Sequence, residues 1–299
     1  MYRIAHVSDL HVLSHTGAEW RAMLFNKRIT GYANLMLHRA RVHRREFLQA
    51  VLAAASKDVD HVVVTGDITN LALESEFDEA RALLDDVGSR VEVTVVPGNH
   101  DIYLPAVFHE RRFAHHFAQF LRSDLPEFAT DLYPCVKLRG PVAIIAVSSG
   151  VPRPPFVAAG LVGAEQLDAI AKVLARPEVF RRTPVILIHH PPVDHRHRLA
   201  QLRDGLLDAA EFRRTLEPLA RGLVLFGHIH VRVQCRLGGL DVVAASGAAL
   251  DHPDLSVRAG FNRYEINDDG SVRTIEAHVL DAAGRGFARV AIAQREGCL

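Results

Sequence analysis

Hydrophobic and polar positions alternate between two patterns along the chain. Short apolar runs rich in Val, Ile and Leu recur at 3–8 (RIAHVS), 60–66 (DHVVVTG), 91–96 (VEVTVV), 141–148 (PVAIIAVS), 183–188 (TPVILI) and 222–227 (GLVLFG). Their length and β-branched content predict strands. Between them, apolar residues recur at helical spacing. Phe47, Val51 and Leu52 do so in 46–57, and Phe77, Ala80, Leu83 and Leu84 share one face of 74–87, a segment opened by acids. Further helices are predicted at 105–121, at 163–175 and near 208–219. After Val231 the period falls to two, as in VRVQCRL and DVVAAS, which predicts antiparallel strands to about residue 280. Strand–helix alternation followed by a strand-rich tail predicts an α/β fold with a mixed sheet system.

Composition narrows the class. The chain has 299 residues, 48% hydrophobic and 23% charged, enough to pack a sizeable core. It reads as one domain, 1–299, with no low-complexity linker. Lys+Arg and Asp+Glu balance at 35 each, so no global field favours nucleic acid or an acidic membrane. Cys135, Cys235 and Cys298 are odd in number and far apart, which fits a reducing compartment better than a disulfide scaffold. No apolar run approaches the roughly 18 residues of a membrane span, and the N-terminus lacks a signal-peptide pattern. A soluble cytoplasmic protein with no obligate protein partner is expected.

The chemistry lies at the ends of the strands. The run 3–8 leads into Asp9 and His11, and 60–66 into Asp67. The run 91–96 leads into Asn99, His100 and Asp101, 183–188 into His189 and His190, and 222–227 into His228 and His230. Open α/β sheets place their ligand crevice just past the C-terminal edge. One such Asp is most often a cap and one such His a surface group. Five strands ending alike point instead to a shared site. Imidazole, carboxylate and amide donors without thiolate suit Mn, Fe, Zn, Co or Ni better than Ca or Mg, and the donors are too many for one ion. Of the remaining histidines, His38, His43, His109, His115 and His116 are read as surface or substrate-side groups, and His61 as the start of a strand.

Asp9-x-His11, Gly66-Asp67, Gly98-Asn99-His100-Asp101, His189-x-Pro191 and Gly227-His228-x-His230 stand in the order of the calcineurin-like metallophosphoesterases, which the chain resembles over about residues 4–230. The run GDITNLALESEFDEARALL is similar to the branch of cyclic-nucleotide and small-molecule phosphodiesterases. The resemblance implies a four-layer αββα sandwich of two mixed sheets flanked by helices; the strand pattern alone does not choose four layers over three. It also implies two metal ions, with Asp9, His11 and His230 on the first, Asn99, His189 and His228 on the second, and Asp67 bridging. A bridging hydroxide would attack phosphorus in line, and His100 would stabilise the phosphoryl charge or protonate the leaving oxygen. Asp101 would orient His100 by a hydrogen bond. Of the adjacent pair His189 and His190, the family pattern selects His189.

A small-molecule phosphoester, most readily a phosphodiester, is therefore the expected substrate. The protein phosphatases of the superfamily carry a longer GDxxDRG motif where this chain has GDITNLA. Nucleases with GNHD and GHxH motifs need a DNA surface that the neutral charge balance does not offer. Hydrolases of UDP-diacylglucosamine form the runner-up, although they carry Arg where His100 stands. A catalytically silent scaffold is the rival from another class, and such proteins show gaps in the ligand set. One anomaly remains. Residues 21–45 hold seven Lys/Arg and no acid among apolar residues, a basic amphipathic insertion at about 14–45. It is read as packing, as a lid over the site, or as peripheral membrane contact through 20–45, with the lid preferred to the membrane.

Overall fold

The computed structural model describes residues 1–13 and 43–296. Two six-stranded mixed sheets form the centre. In the first, β1 (Tyr2–Val7), β2 (His61–Thr65) and β3 (Glu92–Val96) run parallel, and β10 (Gly260–Ile266), β11 (Val272–Leu280) and β12 (Phe287–Val290) extend it antiparallel from β1. The second has the order β4 (Cys135–Arg139), β5 (Val142–Ala146), β6 (Thr183–Leu187), β7 (Gly222–Phe226), β9 (Leu240–Ala244), β8 (Gln234–Leu237), with β5, β6, β7 and β9 parallel.

The parallel strands form because both their faces are covered. All five residues of β2, β5, β6 and β7 are buried, which is why these segments read as continuous apolar runs. Side chains alternate between two interiors. Ile144, Val185, Leu187, Leu223 and Leu225 join the core shared with the first sheet. Ile145, Ile186, Val224 and Phe226 join the core beneath the helices Ala164–Leu174 and Ala209–Leu216. The helices Arg45–Ala55 and Glu74–Gly88 bury Phe47, Leu48, Val51 and Leu52, and Phe77, Ala80 and Leu84, in the first core. This is the four-layer arrangement expected. Burying one such Val or Leu stabilises by about 1.5–3 kcal/mol, and Ile144→Ala would cost about 2–5 kcal/mol.

Register sets up the site. Val7 pairs with Val64, Thr65 with Val96, Leu187 with Leu225, so the C-terminal ends of five parallel strands lie level. The sheets meet there. Ser8 bridges Gly247, and the Ala248 N–H donates to the Ser8 carbonyl.

Four expectations change. The tail is not wholly antiparallel, because β9 runs parallel to β7. Strand β12 lies beyond the anticipated end near 280. The helix expected at 105–121 is two short helices, Pro105–His109 and Arg112–Phe117, with a 3-10 turn after them. The break falls at Arg111, whose φ of 53° no α-helix accommodates. Finally, Cys135 is a buried free thiol but Cys235 is disulfide-bonded, a departure from the all-reduced cysteines expected. The insertion at 14–42 lies outside the described residues.

Candidate metal centre

Three of the five strand ends turn sharply. Asp9, His11, Asp67, His228 and His230 all have positive φ, between 44° and 70°. An L-residue in this left-handed region costs about 1–2 kcal/mol. Strain at five residues of one cluster marks a geometry held by the surrounding fold. The turn aims Asp9 and His11, and likewise His228 and His230, at one place. Two glycines make room. A Cβ on Gly98 would stand 2.2 Å from Asp67 Oδ1, and one on Gly227 would stand 1.9 Å from Ser8 Oγ.

The side chains converge as two sets joined by Asp67. In the first, His230 Nε2 lies 3.0 Å from Asp9 Oδ1 and 3.2 Å from His11 Nε2. In the second, Asn99 Oδ1 lies 3.2 Å from His189 Nε2 and 3.0 Å from His228 Nδ1, and the two ring nitrogens are 3.2 Å apart. Asp67 reaches both, with Oδ2 3.9 Å from His11 Nε2 and Oδ1 3.5 Å from His189 Nε2. The ligand atoms of Asp9, His11 and His230 lie within 4.8 Å of one another, as do those of Asp9, Asp67 and His189.

Backbone carbonyls fix the tautomers. His189 Nδ1–H donates to the Thr65 carbonyl at 2.7 Å, and His228 Nε2–H donates to the Asp204 carbonyl at 2.8 Å. A carbonyl only accepts, so His189 Nε2 and His228 Nδ1 turn lone pairs toward Asn99 Oδ1. Three lone pairs facing each other call for a cation between them. Burial pushes the His189 imidazole down, but Asp67 and Asp9 outweigh it and hold it up at about 9, so a cation bound here would displace a proton from Nε2. Burial would raise the Asp67 carboxyl, yet His189 and His100 hold it well below its usual range. His228 goes down to about 4, through burial and then His189.

His100 and Asp101 have different surroundings. The His100 N–H donates to Asp67 Oδ1 at 2.8 Å, and the ring Nδ1–H to the Asn70 carbonyl at 2.6 Å. The expected hydrogen bond from Asp101 is not formed. The Asp101 carboxylate accepts from the N–H groups of Gly98, Ile68 and Thr69 and from Thr69 Oγ1, at 2.8–3.1 Å. It ties the loop after β2 to the loop after β3, and burial and then Asp67 push its carboxyl up to about 7.

His190 stays beside His189 and His228, with a ligand atom within 4.8 Å of theirs, but its Nδ1 pairs with Ser149 Oγ and its Nε2 donates to the Ala158 carbonyl, both at 2.8 Å. His43 lies edge-on to His11 at 5.3 Å. His116 does not fit the surface reading: it is buried, stacked on Phe77 and bonded to Glu74. The residues that sequence reasoning missed are Thr65, Asn70 and Asp204, which act through carbonyls and leave no side-chain signal. Glu76 was legible only as a helix-start acid. It also accepts from the N–H groups of Asn70, Leu71 and Leu73, shaping the loop that carries the Asn70 carbonyl.

Residues 2–232 match the sequence model of the calcineurin-like phosphoesterases. The chain belongs to this family. As a calcineurin-like phosphoesterase it is a phosphoric ester hydrolase of a class that uses divalent metal ions. It is 26% identical over 285 residues to a "probable cyclic nucleotide phosphodiesterase" of Rhodococcus erythropolis, covering 93% of this chain and 80% of that one. A Fibrobacter succinogenes protein with the same description is 25% identical over 197 residues, 65% of this chain and 66% of its own. Among solved structures, a dimetal phosphatase from Danio rerio superposes with a TM-score of 0.60 at 14% identity, covering 98% of both chains. Yellow lupin purple acid phosphatase gives 0.59 at 13% identity over 98% of this chain and 54% of its own. At these identities the structures establish the fold alone.

Proposed function

We propose that this phosphoesterase holds two transition-metal ions and hydrolyses a phosphodiester, with a cyclic nucleotide as the first substrate to test. The observation that carries the reading is the convergence of the Asn99, His189 and His228 lone pairs, set beside Asp9, His11 and His230 with Asp67 between. Nitrogen and oxygen donors without thiolate fit Mn, Fe, Zn, Co or Ni. When bound, such ions supply Lewis-acid stabilisation of phosphoryl charge and lower the pKa of water.

The protein's own residues supply the rest. Asp9, His11 and His230 form one ligand set and Asn99, His189 and His228 the other, while the Asp67 carboxylate serves both. Because Nδ1 of His189 and Nε2 of His228 donate to the Thr65 and Asp204 carbonyls, His189 Nε2 and His228 Nδ1 are the nitrogens the neutral rings would offer to a metal. Asn70 locks Nδ1 of His100 as a donor, so Nε2 is the atom that exchanges a proton with, or stabilises charge on, the phosphoryl group. Asp101 positions the loops and does not act on His100. The cyclic-nucleotide preference rests on the two similarly described relatives.

The test is turnover of metal-reconstituted protein on cyclic nucleotides, an activated aryl diester, phosphomonoesters and nucleotide-sugar lipids. Cleavage of diesters ahead of monoesters, abolished by chelation, is expected. Two bound ions with no turnover of any ester would overturn the reading in favour of a silent scaffold.

A further inference from the structure

Beside the metal centre, two segments carry an exposed apolar surface that phosphoester hydrolysis does not use. Residues 153–161 and 203–207 run together. The Ala158 N–H donates to the Arg203 carbonyl at 2.7 Å, Gly160 to Gly205 at 2.9 Å, and Leu207 to Gly160 at 3.0 Å. The helix Arg198–Asp204 leads into the second segment and buries none of its residues. Protein helices usually persist because packing covers one face. Here Leu199, 75% exposed, and Leu202 stand one turn apart in solvent, and Phe156 on the neighbouring segment is 79% exposed. Leu207 is also exposed.

The charge around this ridge leans positive, with Asp208 beside it taken up by the Val162 and Gly163 N–H groups. Residues 150–163 contain Arg153 and no acid, and residues 194–207 set Arg196, Arg198 and Arg203 against Asp194 and Asp204. Both aspartates are taken up: Asp194 by Arg196 at 2.7 Å, and Asp204 by Arg196 at 2.8 Å and Arg203 at 2.9 Å. Arg198 is exposed and has no ion pair among the described residues, and His195 and His197 beside it are exposed too.

Both segments are tethered to histidines of the site. His228 Nε2 donates to the Asp204 carbonyl and His190 Nε2 to the Ala158 carbonyl. Whatever covers the ridge therefore lies at the rim of the metal centre.

We infer that the ridge docks the protein on an anionic lipid bilayer. Phe156, Leu199, Leu202 and Leu207 enter the headgroup boundary, and Arg198 faces lipid phosphates. At 7 residues the helix is far too short to span a bilayer, so the contact is superficial. A second copy is a poorer occupant, because a two-fold contact would set Arg198 against its own equivalent. Docking goes beyond the proposed hydrolysis: it delivers the metal centre to phosphoesters presented at a membrane surface, and it is measured without turnover.

The experiment is co-sedimentation with vesicles of phosphatidylcholine alone and of phosphatidylcholine mixed with phosphatidylglycerol. The wild type is expected to pellet with the anionic vesicles and less with the neutral ones. L199S/L202S should weaken binding by about a hundredfold, because each leucine taken out of water contributes about tenfold. Arg198→Gln should reduce the dependence on phosphatidylglycerol, and both variants should cleave a small activated diester at the wild-type rate. No wild-type binding overturns the inference, as does binding unchanged in L199S/L202S. A wild-type dimer that L199S/L202S converts to monomer assigns the ridge to a second copy instead. Failure of wild-type turnover on every ester would count against the proposed hydrolysis and leave the vesicle result standing.

Discussion

His100 Nδ1 lies 2.6 Å from the Asn70 carbonyl, across the gap between the loop after β3 and the loop after β2. One ring nitrogen is thereby committed as a donor, and Nε2 is the atom left for the role proposed above. His100→Ala is expected to keep both ions and slow hydrolysis by about 10²–10⁴-fold. Comparing esters of graded leaving groups separates the two roles of the imidazole. A loss that grows as the leaving group worsens shows proton donation, and an even loss shows charge stabilisation. Metal content that falls with the substitution would make His100 a ligand.

The Asn70 carbonyl is aimed by Glu76, whose Oε2 accepts from three loop donors, the N–H groups of Asn70, Leu71 and Leu73. Glu76→Ala removes the carboxylate acceptor of those buried N–H groups, at about 1–3 kcal/mol each. Metal affinity should hold while kcat falls, and Glu76→Gln, which keeps an acceptor oxygen, should restore most of it. Equal kcat in the Ala variant and the wild type would show that the loop holds His100 without Glu76.

Asp67 turns one carboxylate oxygen toward each ligand set, Oδ2 toward His11 and Oδ1 toward His189. Asp67→Asn keeps the shape and removes a charge between two cations. Turnover should fall by more than the about 10²–10³-fold that loss of a single stabilising donor typically costs, and bound metal should drop below two equivalents. Elemental analysis beside kinetics on folded protein decides it. Two tightly bound ions with near-normal turnover would remove the bridging assignment.

The buried His6 predicts a pH dependence of stability. Its ring pairs with Tyr264 Oη at 3.1 Å and Thr65 Oγ1 at 2.8 Å, and burial lowers its pKa from 6.5 to about 3. Below 6.5 the unfolded chain binds a proton that the folded chain refuses, so stability falls as pH drops from 6.5 toward 3. The slope attributable to this residue is about 1.4 kcal/mol per pH unit. Urea unfolding of wild type and His6→Gln across that window should show a shallower slope in the variant, and parallel slopes would sink the assignment.

The strand ends were readable in the sequence because Asp, Asn and His there compete poorly for packing roles, so their recurrence after apolar runs stands out. The partners that orient them were not. Thr65, Asn70 and Asp204 act through backbone oxygens, which every residue type provides. Asp101 shows the same limit from the other side: its motif position implied a bond to His100, whereas three backbone N–H groups claim its carboxylate. The parallel course of β9 beside β7 escaped a period-two pattern, because the period reports which faces are covered and not the direction of the neighbour.

The candidate ligands divide between the sheets. Asp9, His11, Asp67 and Asn99 follow strands of the first sheet, and His189, His228 and His230 follow strands of the second. Synthesis releases the first four within the opening third of the chain, while β10, which closes the flank of β1, arrives only at Gly260–Ile266. A nascent chain halted before residue 189 would own Asn99 without either histidine that faces it. Metal capture thus belongs to the end of translation, and tight retention of metal reports that both halves of the chain have met.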